Sequence, residues 1–221
     1  MLQKLKKFVK NATHVEPFDA SRFNDPLALQ IDWTPAKAGG ASFRTHKLVE
    51  DGYNIIRFKP TIGAQLFSGI FVLTGLGVMI LGALGVFSET GSVEASDSFL
   101  FFIPFGLIFA GAGGFTYYIF SKPIVFDKLT GKYWKGFKSP DHTTLLSDDK
   151  NSCRLSDIHA IQLISEYVSG NKKSYYSYEL NLVLNNGARL SVTDHGNKNS
   201  IRNDAQILSE YLGKPVWDGI Q

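Results

Sequence analysis

The chain has 221 residues, which suffice for one sizeable domain or two small ones. Its 23 basic and 20 acidic residues give a net charge of +3, which is too balanced to indicate nucleic-acid binding. The single cysteine, Cys153, excludes an intrachain disulfide and argues against a metal cluster built on cysteines.

Residues 1–41 are predicted to form a short amphipathic helix followed by an irregular linker. Apolar side chains fall on one face of the first turns, and four lysines lie on the other faces; the apolar residues are Leu2, Leu5, Phe8 and Val9. Such a helix suits the surface of an anionic membrane, and a solvated basic helix end is the equal alternative. Three prolines and Gly39-Gly40 indicate irregular structure from residue 13 to residue 41.

Residues 42–60 are predicted to form a β-hairpin, because Asp51-Gly52 is a strong turn signal between two strand-like runs. The second strand leads straight into a charge-free run from Pro60 to Ser88. A second charge-free run extends from Ser98 to Ser121.

Each charge-free run is long enough to cross a bilayer as a helix, since about 20 apolar residues suffice. We therefore predict a transmembrane hairpin over 61–121, with spans at about 61–87 and 98–121 and a short external loop at 88–97. The first run lies about 60 residues into the chain, which excludes a secretion signal. A buried core hairpin is the alternative interpretation.

Flanking charges predict the orientation of the hairpin. The loop at 88–97 has three acidic residues and no Lys or Arg, whereas basic residues flank the outer ends of both spans. Because basic flanks stay cytoplasmic, both termini are predicted to lie in the cytoplasm. Neither span contains an ionisable residue, which argues against transport through the hairpin alone.

Small residues in both spans predict close helix packing, because packing drives helix association in lipid. The predicted contact residues are Gly75, Gly82, Gly85, Gly106, Ala110 and Gly114. Contact between the two spans of one chain is preferred, and self-association or docking to another membrane protein remains an alternative.

Residues 122–221 are predicted to hold five strands and a C-terminal helix. One hairpin turns at Lys128 to Gly131, and residues 153–168 read as a single long strand. In the last hairpin Leu184 must lie opposite Ala188, because this register keeps the apolar side chains of both strands on one face. The loop is therefore predicted to be Asn185-Asn186-Gly187.

The C-terminal helix is predicted over 200–212. Ser200 is the expected N-cap, and the apolar residues Ile201, Ala205, Leu208 and Leu212 share one face. Gly213 ends the helix, since glycine tolerates the left-handed conformation at this position.

The order of two strands, a helical hairpin, five strands and a helix resembles a pleckstrin-homology-like split barrel with an inserted membrane hairpin. Together with the stretches VFDKLTGKYWKG and LNLVLNNGARLSV, it also resembles uncharacterised bacterial inner-membrane proteins that join a two-span hairpin to such a domain. The resemblance covers about residues 42–212. It implies an α+β membrane protein in which the first two strands pair with later ones. An independent five-stranded sheet, with the first hairpin packed elsewhere, is the alternative.

Two clusters of basic and aromatic residues are predicted to bind a protein partner or membrane lipid. Lysine is attracted to an anionic surface, and tyrosine and tryptophan combine an apolar ring with a polar group. The predicted residues are Lys132, Trp134, Lys135, Lys138, Lys172, Lys173, Tyr175 and Tyr176. Aromatic residues in a hairpin also form core or cross-strand pairs, which is the competing interpretation.

Three Asp–His pairings are the candidates for chemistry: Asp141-His142, Asp157 with His159, and Asp194-His195. The spacing of Asp157 and His159 places both on one strand face, and His159 and His195 are the two that could meet across neighbouring strands as metal ligands. No hydrolase or metalloprotease motif accompanies them, so no catalytic residue, metal or cofactor is predicted.

The sequence therefore predicts a non-enzymatic binding or scaffold protein that recognises a protein partner, with help from anionic lipid. It would be an accessory subunit or regulator of a membrane assembly. One alternative is an immunity-type protein against a membrane-active toxin. Another is a membrane-bound hydrolase that uses Asp157, His159 or His195.

Overall fold

The computed structural model describes residues 18–84, 95–141, 150–169 and 173–220. Within residues 95–121 the side chains are described from residue 100 onward. It is an α+β fold with two long apolar helices and two largely antiparallel sheets. The predicted N-terminal amphipathic helix and most of the predicted external loop lie outside the described residues.

The described strands are β1 (His46–Glu50), β2 (Ile55–Pro60), β3 (Ile124–Asp127), β4 (Lys132–Lys135), β5 (Ser152–Arg154), β6 (Ile158–Val168), β7 (Tyr175–Leu184), β8 (Arg189–His195) and β9 (Val216–Asp218). The helices are α1 (Ile62–Ala83), α2 (Ala95–Ser121) and α3 (Lys198–Leu212). Short 3-10 turns occupy Ala20–Phe23 and Leu155–Asp157.

The first sheet has the order β1-β2-β3-β4-β5, and α1 and α2 are inserted in the chain between β2 and β3. These two strands pair directly, with Ile56 opposite Phe126 and Phe58 opposite Ile124. The first hairpin therefore belongs to the same sheet as the strands that follow the helices, and the alternative of an independent five-stranded sheet is wrong.

The second sheet has the order β8-β7-β6-β9, and it shares one apolar core with the first sheet and α3. The largest buried side chains of this core are Phe58, Phe126, Tyr133, Ile158, Ile161, Leu163, Leu180, Leu182, Ile201 and Leu208. Burying an aliphatic side chain of this size contributes roughly 1.5–3 kcal/mol, so this core is the main source of stability of the β domain, residues 18–60 and 122–220.

The last predicted hairpin is confirmed. The Leu184 N–H donates to the Ala188 carbonyl over 2.8 Å, and Gly187 has a φ of 82°, which closes a three-residue loop. Gly213 ends α3 with a φ of 65°, as predicted. The predicted N-cap is wrong: Asn197 caps the helix by accepting the Ser200 N–H over 2.9 Å, so α3 begins at Lys198.

The single long strand predicted over 153–168 is two strands. The 3-10 turn Leu155–Asp157 lies between β5, which joins the first sheet, and β6, which joins the second. The strand β9 has no counterpart in the prediction, because three residues are too short to show an alternating pattern. It pairs parallel to β6, with Val216 opposite Ile161.

The prediction of a linker over residues 13–41 is wrong for the part that the structure describes. Residues 18–33 cover the outer face of the second sheet, where Phe23, Ala28 and Ile31 join Val183 and Trp217 in a second apolar cluster. Because this segment completes the burial of a sheet face, it is part of the β domain. Its one proline, Pro26, is compatible with such packing as well as with a free linker.

A candidate binding cleft at the base of the long helices

Small residues lie where α1 and α2 contact each other. A Cβ atom added at Gly75 would lie 2.4 Å from the Ala110 backbone nitrogen and 2.5 Å from the Gly106 carbonyl oxygen. A Cβ atom at Gly82 would lie 2.6 Å from the Cβ of Phe102. These positions accept only glycine, so the two helices of one chain pack against each other with their backbones in close approach.

The prediction that Gly114 takes part in this contact is wrong. Nothing lies within 4 Å of a Cβ atom added at Gly114, whereas one added at Gly113 would lie 2.7 Å from the Val72 nitrogen. Seven residues return to within about 20° of the same helix face, while eight rotate by about 80°, which explains why Gly113 rather than Gly114 follows Gly106. Gly85 lies outside the described residues.

The remaining surface of both helices is apolar and exposed. Two segments, Ile62–Ala83 and Leu100–Ser121, are long and apolar enough to cross a membrane. Only 17% and 11% of their most apolar windows are buried, so they are not core helices of the β domain. Exposed apolar side chains reach the ends of the helices nearest the sheets, where Ile62 is 69% and Ile119 is 43% exposed.

The segment 44–46, which leads into β1, binds the ends of both helices. Thr61 caps α1 by accepting the Ala64 N–H, and its hydroxyl donates to the Arg44 carbonyl over 2.8 Å. His46 Nε2 lies 3.0 Å from the Phe120 carbonyl oxygen at the end of α2. A carbonyl only accepts, so Nε2 carries the proton, and one of the free helix-end carbonyls is satisfied. Burial lowers the pKa of His46 and keeps the imidazole neutral.

Arg44 connects this junction to the third helix. Its guanidinium donates to both carboxylate oxygens of Asp204 in α3, over 2.6 and 2.7 Å, and its Nε donates to the His46 carbonyl. The Asp204 side chain is 2% exposed, so its carboxylate is removed from water, while the Arg44 side chain stays 31% exposed. The three helices are therefore held together through the short segment 44–46.

A cleft of about 830 Å³ opens beside this junction, between the end of α2 and the inner edges of the two sheets. The volume falls in the range of roughly 300–1,000 Å³ that is usual for small-molecule sites. Four lysines line it, together with a single acidic residue among the described lining residues, Asp194; the lysines are Lys37, Lys122, Lys135 and Lys138. We call this space the junction cleft.

Lys135 is the half-buried lysine of the junction cleft, and the other three are exposed. It lies opposite Ile124 on the inward face of the first sheet, at the end nearest the helices. Burial lowers the pKa of Lys135 to about 8, with Lys37 acting in the same direction and Asp194 and Glu179 opposing it. The cleft therefore holds a cation that its surroundings do not fully neutralise.

This burial predicts a pH dependence of stability. Between pH 8 and the ordinary lysine pKa of about 10.5, the unfolded chain binds more protons at Lys135 than the folded chain. The contribution of Lys135 to the free energy of unfolding should therefore rise from pH 8 to pH 10 and be constant below pH 7. The Lys135→Gln variant should lose this rise in thermal or denaturant unfolding.

The difference between wild type and Lys135→Gln isolates this contribution. Burial raises the pKa of Cys153 to about 12, so the Cys153 thiol makes an opposite contribution above pH 9 that cancels in the difference. A difference that does not change between pH 7 and pH 10 would contradict the burial of the Lys135 ammonium group.

Aromatic rings surround the cleft where it meets the helices. Phe43 contacts Phe67 and Phe120 with ring centroids 6.0 and 6.5 Å apart, and Phe137 contacts Tyr118 at 5.9 Å. The Lys122 ammonium lies 4.8 Å from the centre of the Tyr118 ring. Aromatic and basic side chains of this kind are enriched where membrane helices meet the headgroup region.

The first predicted basic–aromatic cluster is divided by the structure. Lys135 and Lys138 line the junction cleft. Lys132 and Trp134 alternate with the inward-facing Tyr133 and Lys135 along β4 and so lie on its other face. The Lys132 ammonium donates to the Pro140 carbonyl over 2.9 Å, so Lys132 has a local structural role.

The second predicted cluster lies where β6 ends and β7 begins. Tyr176 is 56% exposed and its ring lies 5.3 Å from that of Tyr167, which is also exposed. The Tyr175 hydroxyl instead donates to the Gly40 carbonyl, and Lys173 is exposed. Lys172 lies outside the described residues. The paired tyrosine rings form an amphipathic surface next to Lys173.

This second cluster is connected to the junction cleft through the irregular segment 37–41. The Glu166 carboxylate at the end of β6 accepts the N–H groups of Gly39 and Gly40. Asp194 accepts the Ala41 N–H over 2.8 Å. One wall of the cleft is therefore fixed to the ends of β6 and β8.

Neither of the two candidate Asp–His pairings that lie in the described residues is formed. His159 Nε2 lies 2.7 Å from Asp25, and Asp157 lies in the 3-10 turn rather than on the strand that carries His159. His195 is fully buried, and its Nδ1 accepts the Asn197 N–H. Asp194 binds a backbone amide, and His142 lies outside the described residues.

His159 and His195, the two histidines that could have met across neighbouring strands, do not lie on neighbouring strands. They lie on β6 and β8, and β7 separates these strands. His195 lies opposite Tyr178, near the start of β7, whereas His159 lies beside the other end of β7. Among the described residues no three His, Cys, Asp or Glu side chains are placed to hold a metal ion.

Among the lysine and histidine residues that line the junction cleft, Lys37, His46 and Lys122 were not identified as site residues from the sequence. The basic residue Lys122 was visible as a flank of the second span, whereas Lys37 and His46 carry no local signal. Comparisons with protein-family models, with curated proteins and with solved structures find no match to this chain.

Proposed function

We propose that this chain is a membrane-anchored binding protein of the bacterial inner membrane. The observation that carries the proposal is the direct pairing of β2 with β3, which lead into α1 and out of α2. Both ends of the helical hairpin therefore emerge on one side, and the exposed apolar surface starts at that point. Only a bilayer would cover so much exposed apolar helix surface and leave the β domain in water.

The proposed orientation places the β domain in the cytoplasm. The lysines of the junction cleft lie at the ends of the helices, and the aromatic rings of Phe43, Tyr118 and Phe137 lie beside them. Basic residues next to a span favour the cytoplasmic side, where the leaflet is anionic.

The proposed role of the β domain is recognition, without enzymatic chemistry, as an accessory subunit or regulator of a membrane assembly. Two sheets that share a core with a C-terminal helix support a pleckstrin-homology-like relation. Recognition of a protein partner is assigned to the Tyr167–Tyr176 pair with Lys173, since exposed tyrosines are enriched in interfaces.

Site-specific crosslinking in native membranes tests this role. A photo-crosslinking residue at Tyr176 should capture one stoichiometric protein partner, whereas the same residue at the fully exposed Tyr53, in the turn between β1 and β2, should not. Crosslinks from position 176 only to lipid or to a second copy of the chain would contradict recognition of a partner at this surface.

A further inference from the structure

The junction cleft lies at the depth where the apolar surface of the helices ends. Its lining includes Tyr118, Ile119 and Phe120 of the last turns of α2 and the following Lys122. On α1, the exposed apolar surface begins at Ile62. If α1 and α2 cross a bilayer, the mouth of the cleft therefore faces the lipid headgroups, with acyl chains directly beside the exposed Ile119.

The charges of the cleft are complementary to an anion. None of the four lysines takes part in an ion pair with another residue of the described ranges. Asp194, the acidic residue in the lining, already accepts the Ala41 N–H. The half-buried Lys135 ammonium, on the inward face of the sheet, is desolvated without a full counter-charge, so an anion that enters would stabilise it.

The backbone of the cleft offers few further donors. The N–H groups of Gly39 and Gly40 donate to Glu166, and that of Gly136 donates to the Pro123 carbonyl. Recognition of an anion would thus depend on the lysine ammonium groups, which bind phosphate as point charges and do not require a fixed bidentate geometry.

The rim of the cleft distinguishes a lipid from a soluble anion. Phe137 is 60% exposed beside Tyr118, and Phe43 is 41% exposed beside Phe67 of α1. A free phosphate compound gains nothing from apolar side chains at the mouth. A phospholipid places glycerol and acyl groups against such a rim while its phosphate reaches the lysines.

We propose that the junction cleft binds the phosphate-bearing headgroup of an anionic phospholipid from the cytoplasmic leaflet. Lys135 contacts the phosphate inside the cleft, and Lys122 and Lys138 contact it at the mouth. The proposal rests on the membrane anchoring proposed above, and it adds a lipid site that is separate from the Tyr167–Tyr176 surface for a protein partner.

The test uses the full chain in nanodiscs that contain phosphatidylcholine with a minor share of phosphatidylglycerol. After release into mild detergent, native mass spectrometry counts the phosphatidylglycerol molecules retained per chain. The wild type should retain phosphatidylglycerol over phosphatidylcholine, and Lys135→Gln should reduce this preference at least about fivefold, the factor that roughly 1 kcal/mol per lysine represents. The matched control is Lys132→Gln, which removes a lysine from the other face of the same strand and should leave the preference unchanged.

Stability measurements in phosphate-free detergent separate binding from folding. Lys135→Gln removes a desolvated cation, so its unfolding temperature should equal or exceed that of the wild type even as lipid binding is lost. If Lys135→Gln loses the lipid preference and also has a lowered unfolding temperature, the result does not support the site. The double variant Lys122→Gln/Lys138→Gln, at two exposed positions, would then have to lose the lipid preference at unchanged stability.

Three results would overturn the proposal. Equal retention of phosphatidylglycerol by wild type and Lys135→Gln would show that the cleft is not the lipid site. If the protein still enters nanodiscs in that case, the proposed membrane anchoring stands. Complete displacement of the lipid by millimolar glycerol 3-phosphate would identify a soluble phosphate compound as the ligand. A chain that does not enter nanodiscs at all would contradict both the lipid site and the anchoring.

Discussion

The Asp204→Ala variant is expected to lose about 3 kcal/mol of the free energy of unfolding, at the lower end of the roughly 3–5 kcal/mol cost of breaking a buried ion pair. Asp204 is 2% exposed, while the Arg44 side chain is 31% exposed and regains some water contact. The loss also removes the carboxylate that lies 3.9 Å from Nε2 of the buried His195. Tryptophan fluorescence during denaturation in detergent measures this change.

A double-mutant cycle at Arg44 and Asp204 separates the interaction energy of the two side chains from the effects of their surroundings. Arg44→Met together with Asp204→Leu should recover part of the loss, because two apolar groups leave no unpaired buried charge. The control is Lys59→Ala, which breaks an exposed contact of 3.8 Å with Asp51 and should cost less than about 1 kcal/mol. Equal costs for Asp204→Ala and Lys59→Ala would show that the junction does not depend on the Arg44–Asp204 pair.

The Gly75→Leu variant should disrupt the packing of α1 on α2. A Cβ atom at this position would lie within 2.5 Å of two backbone atoms of α2, and backbone cannot rotate away as a side chain can. Overpacking a well-filled contact costs typically about 1–3 kcal/mol, and a contact against backbone belongs at or above the upper end of that range. We expect a lower unfolding temperature and faster proteolysis in the helical hairpin.

The matched control is Gly77→Leu in the same helix. Nothing lies within 4 Å of a Cβ atom at Gly77, so the larger side chain would extend into open space and should be tolerated. The two variants have the same composition, so a difference between them reports packing rather than hydrophobicity. Equal effects of both would contradict the observed helix contact.

Local patterns predicted the elements whose signals lie close together in sequence. The turn at Gly187 and the helix end at Gly213 each require a left-handed residue, which glycine supplies at low cost. The two long apolar helices follow from the two charge-free runs of the sequence. The contact at Gly113 instead of Gly114 shows the limit of a spacing of four, because the periodicity of a helix is 3.6.

Contacts between distant segments explain what the sequence did not reveal. Residues 18–33 look like a linker because an irregular backbone gives no periodic pattern of apolar side chains. Their apolar side chains nevertheless cover Val183 and Trp217. The break between β5 and β6 depends on which sheet each strand joins, a tertiary choice with no local marker. Ser200 and Asn197 are equally good caps by residue type, and only the end of β8 decides between them.

The junction cleft was only partly predictable for the same reason. Lys135 and Lys138 were identified from a basic–aromatic cluster, but Lys132 in that cluster lies on the other face of β4. Lys37 lies about 100 residues away in sequence and joins the cleft only because Glu166 and Asp194 hold the segment that carries it.

Cysteine accessibility in intact cells is the most direct test of the central claim that the helices cross the membrane with the β domain in the cytoplasm. The native Cys153 is buried and its raised pKa of about 12 makes it unreactive toward maleimide, and Cys153→Ser provides the background control. Ser92→Cys, in the predicted external loop, should react with a membrane-impermeant maleimide in intact cells. Tyr53→Cys, in the exposed turn between β1 and β2, should react only after the membrane is permeabilised. Labelling of Tyr53→Cys in intact cells, or of neither variant before permeabilisation, would contradict this topology.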